Sequence, residues 1–136
     1  MLNPARARGF SLIELLLVLA IIGIISDIAI PSYLGQRRRA RVIGDAISNA
    51  KVLSMLLEAK KADTGVYGTV TTYTWIAGSA SDSTFLPGFS PSGNTKMNYS
   101  LGIVSSGYDF NLTVMDPSLG VMAYSTNSLG AELYRL

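Results

Sequence analysis

The sequence predicts an α+β fold: one long N-terminal helix packed on a three- to four-stranded antiparallel sheet. Three observations carry this. Residues Phe10 to Ile30 form an almost unbroken apolar run, closed by Pro31. Beyond it, Ile43, Ala46, Ile47, Ala50, Leu53 and Leu57 recur at three- and four-residue steps, the spacing of one helix face. After Gly65 the period changes to two, and apolar residues alternate with polar ones in short runs separated by turn residues.

The apolar run, some 21 residues, is about long enough to cross the roughly 30 Å hydrocarbon core as a helix. It holds a carboxylate, Glu14. A charge near the centre of such a helix costs about 2.5–3.5 kcal/mol, and less near its end. A group kept at that cost is there to be paired, and the expected partner is a positive charge at the same depth on another molecule. The helix is expected to continue through an amphipathic half and to run over residues 10–62. Arg41, Asp45, Ser48, Asn49, Lys51, Ser54, Glu58 and Lys61 lie between its apolar positions. Asp63-Thr64-Gly65 supplies the stop, with Gly65 in a left-handed C-terminal position. Pro31 lacks an N–H and crowds the carbonyl four residues back, so it is expected to bend or loosen the helix. Gly23, Gly35 and Gly44 are further weak points, and the alternative is two helices parted near 31–35.

Val70–Ile76, rich in Thr, Tyr and Val, reads either as a strand or as a loop lying on the helix. Residues 77–95 read as a Gly/Ser/Pro-rich surface loop. Met97, Tyr99, Leu101 and Ile103 then alternate with polar or small residues, as do Tyr108, Phe110, Leu112 and Val114, and Ser105-Ser106-Gly107 joins the two as a hairpin. Asp116-Pro117-Ser118-Leu119-Gly120 is a second turn, leading to a strand over 121–125. Residues 128–130 turn again before a final candidate strand over 131–136. The helix face from Ile43 to Leu57 is the cover for the apolar face of this meander.

At 136 residues and a net charge of +2, the chain is one small domain plus its apolar segment, and whole-chain charge argues for no acidic partner. It has no histidine and no cysteine. That removes imidazole acid–base chemistry, thiol nucleophiles, disulfides and most zinc and iron–sulfur sites. The remaining Asp, Glu, Lys and Ser show no catalytic pairing, so no catalytic residue, no cofactor and no metal is assigned. Asp82, Asp109 and Asp116 do not form a clustered oxygen-ligand loop for calcium.

The N-terminal stretch resembles the type IV pilin (prepilin) family, which includes the pseudopilins of type II secretion. The resemblance rests on the short basic leader over 1–9 with Arg6 and Arg8, and on the Gly9-Phe10 junction followed by Ser11-Leu12-Ile13-Glu14-Leu15. It continues through Ile21-Ile22-Gly23-Ile24 and Ala29-Ile30-Pro31, and it is sharp over 9–36. It implies a pilin-like fold with a leader at 1–9, a transmembrane and assembly half at 10–35, an amphipathic half at 36–63 and a globular head at 64–136. It implies that a prepilin peptidase cuts after Gly9 and methylates the Phe10 amine. Phe10, Glu14 and Pro31 then serve assembly, with Glu14 neutralising the Phe10 amine of a neighbouring copy.

The implied partners are further copies in a helical filament, the prepilin peptidase, the inner membrane before assembly and a pilus assembly platform. The implied location is the inner membrane for the precursor and the cell surface for the fibre. Motility, adhesion or DNA uptake is the implied role. A pseudopilin and a membrane-anchored binding module are the alternatives. Many pilins close their C-terminal region with a disulfide, and this chain departs from that pattern. Arginines and lysines counted at the two ends of the span would place the C-terminal part inside. The leader and the Ser/Thr/Gly-rich C-terminal composition argue for outside.

Two features remain as candidate charge contacts. Asp27 lies in the apolar run with no cation three or four residues away in the span, and reads either as exposed at the membrane edge or as paired across subunits with an arginine. Arg37, Arg38, Arg39 and Arg41 read as a solvated or headgroup-facing run, as filament-lining cations, or as a DNA contact, the last weakened by the lack of interleaved aromatics.

Overall fold

The computed structural model describes residues 9–76, 84–93 and 96–136. Residues 1–8 of the expected leader and residues 77–83 and 94–95 of the expected loop, Asp82 among them, lie outside the described residues. The chain divides into two compact units, Met1–Arg37 and Arg38–Leu136.

Helix α1 spans Leu12–Thr64, 53 residues, and so begins and ends two residues later than the spacing predicts. It runs unbroken through Pro31, Gly35 and Gly44, which corrects the alternative of two helices parted at 31–35. Its end is set as expected. Gly65 takes φ +81, and its N–H donates to the Lys61 carbonyl at 2.8 Å. That satisfies a carbonyl which the helix end would otherwise leave open.

In the second unit, five strands form one antiparallel meander in sequence order: β1 (Thr72–Trp75), β2 (Asn98–Val104), β3 (Asp109–Asp116), β4 (Val121–Asn127) and β5 (Glu132–Arg135). The expectation was three to four. The additional strand comes from the 70–76 segment, which is not a loop: Tyr73 pairs with Leu101, and Trp75 pairs with Tyr99. Four residues are too few for alternation to declare itself, and Trp75 earns its place by burial against β2.

The inner sheet face carries Tyr99, Leu101 and Ile103 from β2 and Phe110, Leu112 and Val114 from β3, all buried. Cross-strand neighbours such as Leu101 and Leu112 meet there. Each such side chain is worth about 1.5–3 kcal/mol on full burial. The covering helix face is Val42, Ala46, Asn49, Ala50, Leu53 and Leu57. It is rotated from the expected stripe, so Ile43 and Ile47 are only half-buried and Asn49 lies inside. Tyr108 also departs from expectation, being 58% exposed. Its backbone is right-handed helical (φ −91, ψ −17), so it belongs to the preceding turn and not to the strand alternation.

That turn is tighter than a simple hairpin. Ser105 and Ser106 both take positive φ (52 and 58), followed by Gly107 at 92. Gly107 is buried, its carbonyl accepts the Tyr67 N–H at 2.8 Å, and a Cβ on it would run into the Gly68 carbonyl oxygen. Residues 84–93 are bound to the core by Leu86 and Phe89. The Phe89 ring meets Trp75 and Tyr99 edge-on, with centroids at 5.2 and 5.6 Å. Asn49 closes this corner. Its amide donates to the Tyr99 hydroxyl (2.9 Å), the Ser92 carbonyl (2.6 Å) and the Asp45 carbonyl (3.0 Å), and its carbonyl accepts the Ser92 N–H (3.0 Å). Burial, opposed by the Asn49 bond and aided by the charge of Asp45, pushes the Tyr99 hydroxyl up to about 12.

Candidate functional site

The first unit offers its own surface as the site. From Phe10 to Leu34, sixteen large apolar side chains are exposed, among them Leu12 at 75%, Ile13 at 73% and Ile28 at 73%. The apolar positions surround the helix, and a helix apolar all round is one built for lipid or for the middle of an assembly. By length and composition it is able to cross a membrane.

Ser11 stands immediately before the first helical residue, Leu12. Its carbonyl accepts the Leu15 N–H at 3.3 Å, while the Ser11 N–H donates to Glu14 Oε2 at 2.9 Å. This is the acidic half of a capping box, and the carboxylate also sits favourably at the positive end of the helix dipole. The Ser-x-x-Glu spacing of Ser11 and Glu14 is the sequence signal for this local bond. Phe10 stands one residue ahead of the capped N–H and is 83% exposed.

Asp27 is exposed and lines a shallow depression of about 370 Å³ with Gly23, Ser26, Ile30 and Pro31. It has no ion pair among the described residues. Among the described residues, Arg38 is the one of the four arginines with an ion pair, and its partner is not Asp27. Its Nη2 donates to Ser118 Oγ at 2.6 Å and lies 3.8 Å from Asp116 Oδ2. The Asp116 carboxylate accepts both the N–H and the hydroxyl of Ser118, which shapes the β3–β4 turn. Burial disfavours its charge, but the Ser118 hydroxyl, the Ser118 and Leu119 N–H groups and the Arg38 guanidinium outweigh it and hold the carboxyl below the usual range. Arg37, Arg39 and Arg41 are exposed, with no ion pair among the described residues.

Asp109, weighed for calcium, accepts the Ser128 hydroxyl at 3.0 Å. No group of three metal-ligating side chains occurs among the described residues. The aromatics near Thr72–Pro91 are packed into the head: Tyr73 stacks on Phe85 at 3.6 Å, and the Lys60 ammonium lies 4.0 Å from the Phe85 centroid.

Residues 4–26 match the family described as the prokaryotic N-terminal methylation motif. The curated relatives that the chain resembles are type IV pilins and fimbrial proteins. The chain is 49% identical over 51 residues to the type IV major pilin protein PilA of Myxococcus xanthus, a match over 38% of this chain and 22% of the relative. It is 40% identical over 62 residues to fimbrial protein Q of Moraxella bovis, 43% of this chain and 40% of the relative. It is 42% identical over 60 residues to the type IV major fimbrial protein FimA of Dichelobacter nodosus, 41% of this chain and 38% of the relative. The chain thus spans less than half the length of the curated relatives it matches. No solved structure matches it. The matched motif covers the start of the apolar helix, where the exposed surface also begins.

Proposed function

We propose that this chain is a non-catalytic structural subunit of a type IV pilus. Its apolar helix anchors it in the inner membrane as a precursor and packs among copies in the surface fibre. One observation carries the reading: a helix apolar on every face, exposed from Phe10 to Leu34, begins inside a methylation motif. Such a surface requires cover, and lipid and neighbouring helices both supply it. Cleavage after Gly9 by a prepilin peptidase frees the Phe10 amine, which is then methylated. Glu14 of one copy neutralises that amine on the next. The capping bond supports this role, since it keeps the carboxylate satisfied in a lone subunit until an ammonium replaces the Ser11 N–H as its partner.

Gly23 and Pro31 lower the cost of loosening the helix between them during assembly. Arg37, Arg39 and Arg41 face headgroups before assembly and acids of other copies after it, and an assembly platform lifts the subunit from the membrane. Motility, adhesion and DNA uptake are the activities such a fibre serves. The test is mass spectrometry of sheared surface fibres. The expected result is this chain as an abundant component beginning at a methylated Phe10, with Gly9→Val blocking both processing and fibres. An assembled chain that retains Met1 would overturn the processing scheme. Absence from fibres together with a secretion defect on deletion would assign the chain as a pseudopilin.

A further inference from the structure

We infer that Asp27 of one copy seats in a groove on the head of a second copy, between Lys51 and Arg135. The inference rests on the filament reading above. The groove has a volume of about 520 Å³ and lies between α1 and the edge strand β5. Its floor is Ala40, Gly44 and Ser48, one small residue per helical turn, and apart from the local helix backbone and Gly44's chain neighbours nothing among the described residues lies within 4 Å of where a Gly44 side chain would begin. Small residues at this spacing let a second helix approach closely. Ile43 and Ile47, left half-buried by the rotation of the helix on the sheet, give it apolar walls. Lys51 and Arg135 give it two cations, both exposed and without an ion pair among the described residues, and no acid lines it.

The occupant must be slender, apolar and acidic. The apolar helix of another copy has that chemistry at one place. Asp27 sits beside Gly23, Ser26, Ile30 and Pro31 in a depression with one acid and no cation, the complement of the groove. The depression has room for the long stem of a lysine or arginine, whose methylenes suit apolar walls while the charged head reaches the carboxylate. Glu14, the other acid of the apolar run, is engaged by the Ser11 N–H in the lone chain and by the Phe10 amine in the proposed fibre. Glu58, Asp63 and Glu132 are exposed, but none lies in an apolar segment. An aspartate in an apolar helix is costly unless neutralised, so the pair would set which faces of two copies meet.

The chain has no cysteine, so introduced thiols report contact without background. In the chain carrying both Ser26→Cys and Ser48→Cys, oxidation of sheared fibres should give a ladder of multimers on a non-reducing gel, and either single variant should give none. Asp27→Lys should lower fibre yield at least tenfold at equal protein level, and Lys51→Asp or Arg135→Asp in the same chain should restore it. Fibres of the double-cysteine chain that oxidise without a ladder would overturn the groove while leaving the filament reading intact. Rescue of Asp27→Lys by Arg39→Asp, and not by the groove variants, would also overturn it. If the unaltered chain makes no fibres, the filament reading itself falls.

Discussion

Asn49→Ala tests how the head is held to its helix. Asn49 is 3% exposed, and one amide group serves three segments: the helix at Asp45, the β1–β2 connection at Ser92 and β2 at Tyr99. Ala removes all of these bonds. Water reaches the exposed Ser92, so its N–H and carbonyl lose little. The Tyr99 hydroxyl belongs to a residue only 1% exposed and loses a partner water cannot easily replace. A buried group left unpaired costs about 1–3 kcal/mol, and the space vacated by the amide adds to it. The expected loss is about 2–3 kcal/mol. For a folding unit of this size that lowers the melting temperature by roughly 10–20 °C.

Trp75, the only tryptophan, reports the change directly, because Phe89 links it edge-on to Tyr99. The assay is thermal unfolding of the detergent-solubilised chain, followed by tryptophan fluorescence and far-ultraviolet circular dichroism. Asn49→Asp should be at least as damaging, since it loses the donors and buries a charge beside Asp45. Asn49→Leu, which fills the space but orphans the same groups, should fall close to Ala. A loss below about 0.5 kcal/mol for Ala would refute the view that this amide fastens the Ser92 segment and β2 to the helix.

Glu14→Ala should leave the head's melting unchanged and sharply reduce sheared fibres at equal protein level. Glu14→Gln, which keeps an acceptor for the Ser11 N–H without the charge, separates capping from pairing: fibre yield close to that of Ala supports pairing, and normal yield would reduce Glu14 to a cap. Gly107→Ala should destabilise the head by about 2 kcal/mol or more in the same melts, because its φ is +92 and the new Cβ would meet the Gly68 carbonyl oxygen. The head should lose stability as pH rises from about 10 to 12. Tyr99 and Tyr67 are both pushed up to about 12, Tyr67 by burial and then by its bond to Glu58, while the unfolded chain releases these protons near 10. The neutral tyrosines thus contribute fully below pH 10, and denaturant midpoints that stay flat through that window would contradict the assignment.

What the sequence made legible, and what it hid, follows from how far apart in the chain the interacting residues lie. The helix, its Gly65 stop and the faces of β2 and β3 are local patterns, repeated often enough to be read from spacing alone. The motif at Gly9–Glu14 is likewise contiguous. Apart from the local Ser11–Glu14 cap, the misses are contacts between distant segments or runs too short to show a period. β1 is four residues long and is recognisable only by its pairing with β2. Asn49 looked like one more polar residue on the outer face, because nothing local reveals that Tyr99 and Ser92 will present it with partners. The arginine run looked uniform, yet Arg38 is distinguished by Asp116 and Ser118, some eighty positions on.

The same reasoning bears on the functional surface. A lone chain satisfies the acid at Glu14 through its own Ser11 but leaves Asp27 and the cations at Lys51 and Arg135 without ion pairs among the described residues. An acid held in an apolar helix with no such partner is a residue whose environment is incomplete in one copy. The rule that exposes a missing strand, that a costly group must find its partner somewhere, therefore points beyond the single chain when the fold supplies none. For this chain the partner is expected on another copy, and the cysteine ladder between positions 26 and 48 decides whether that is so.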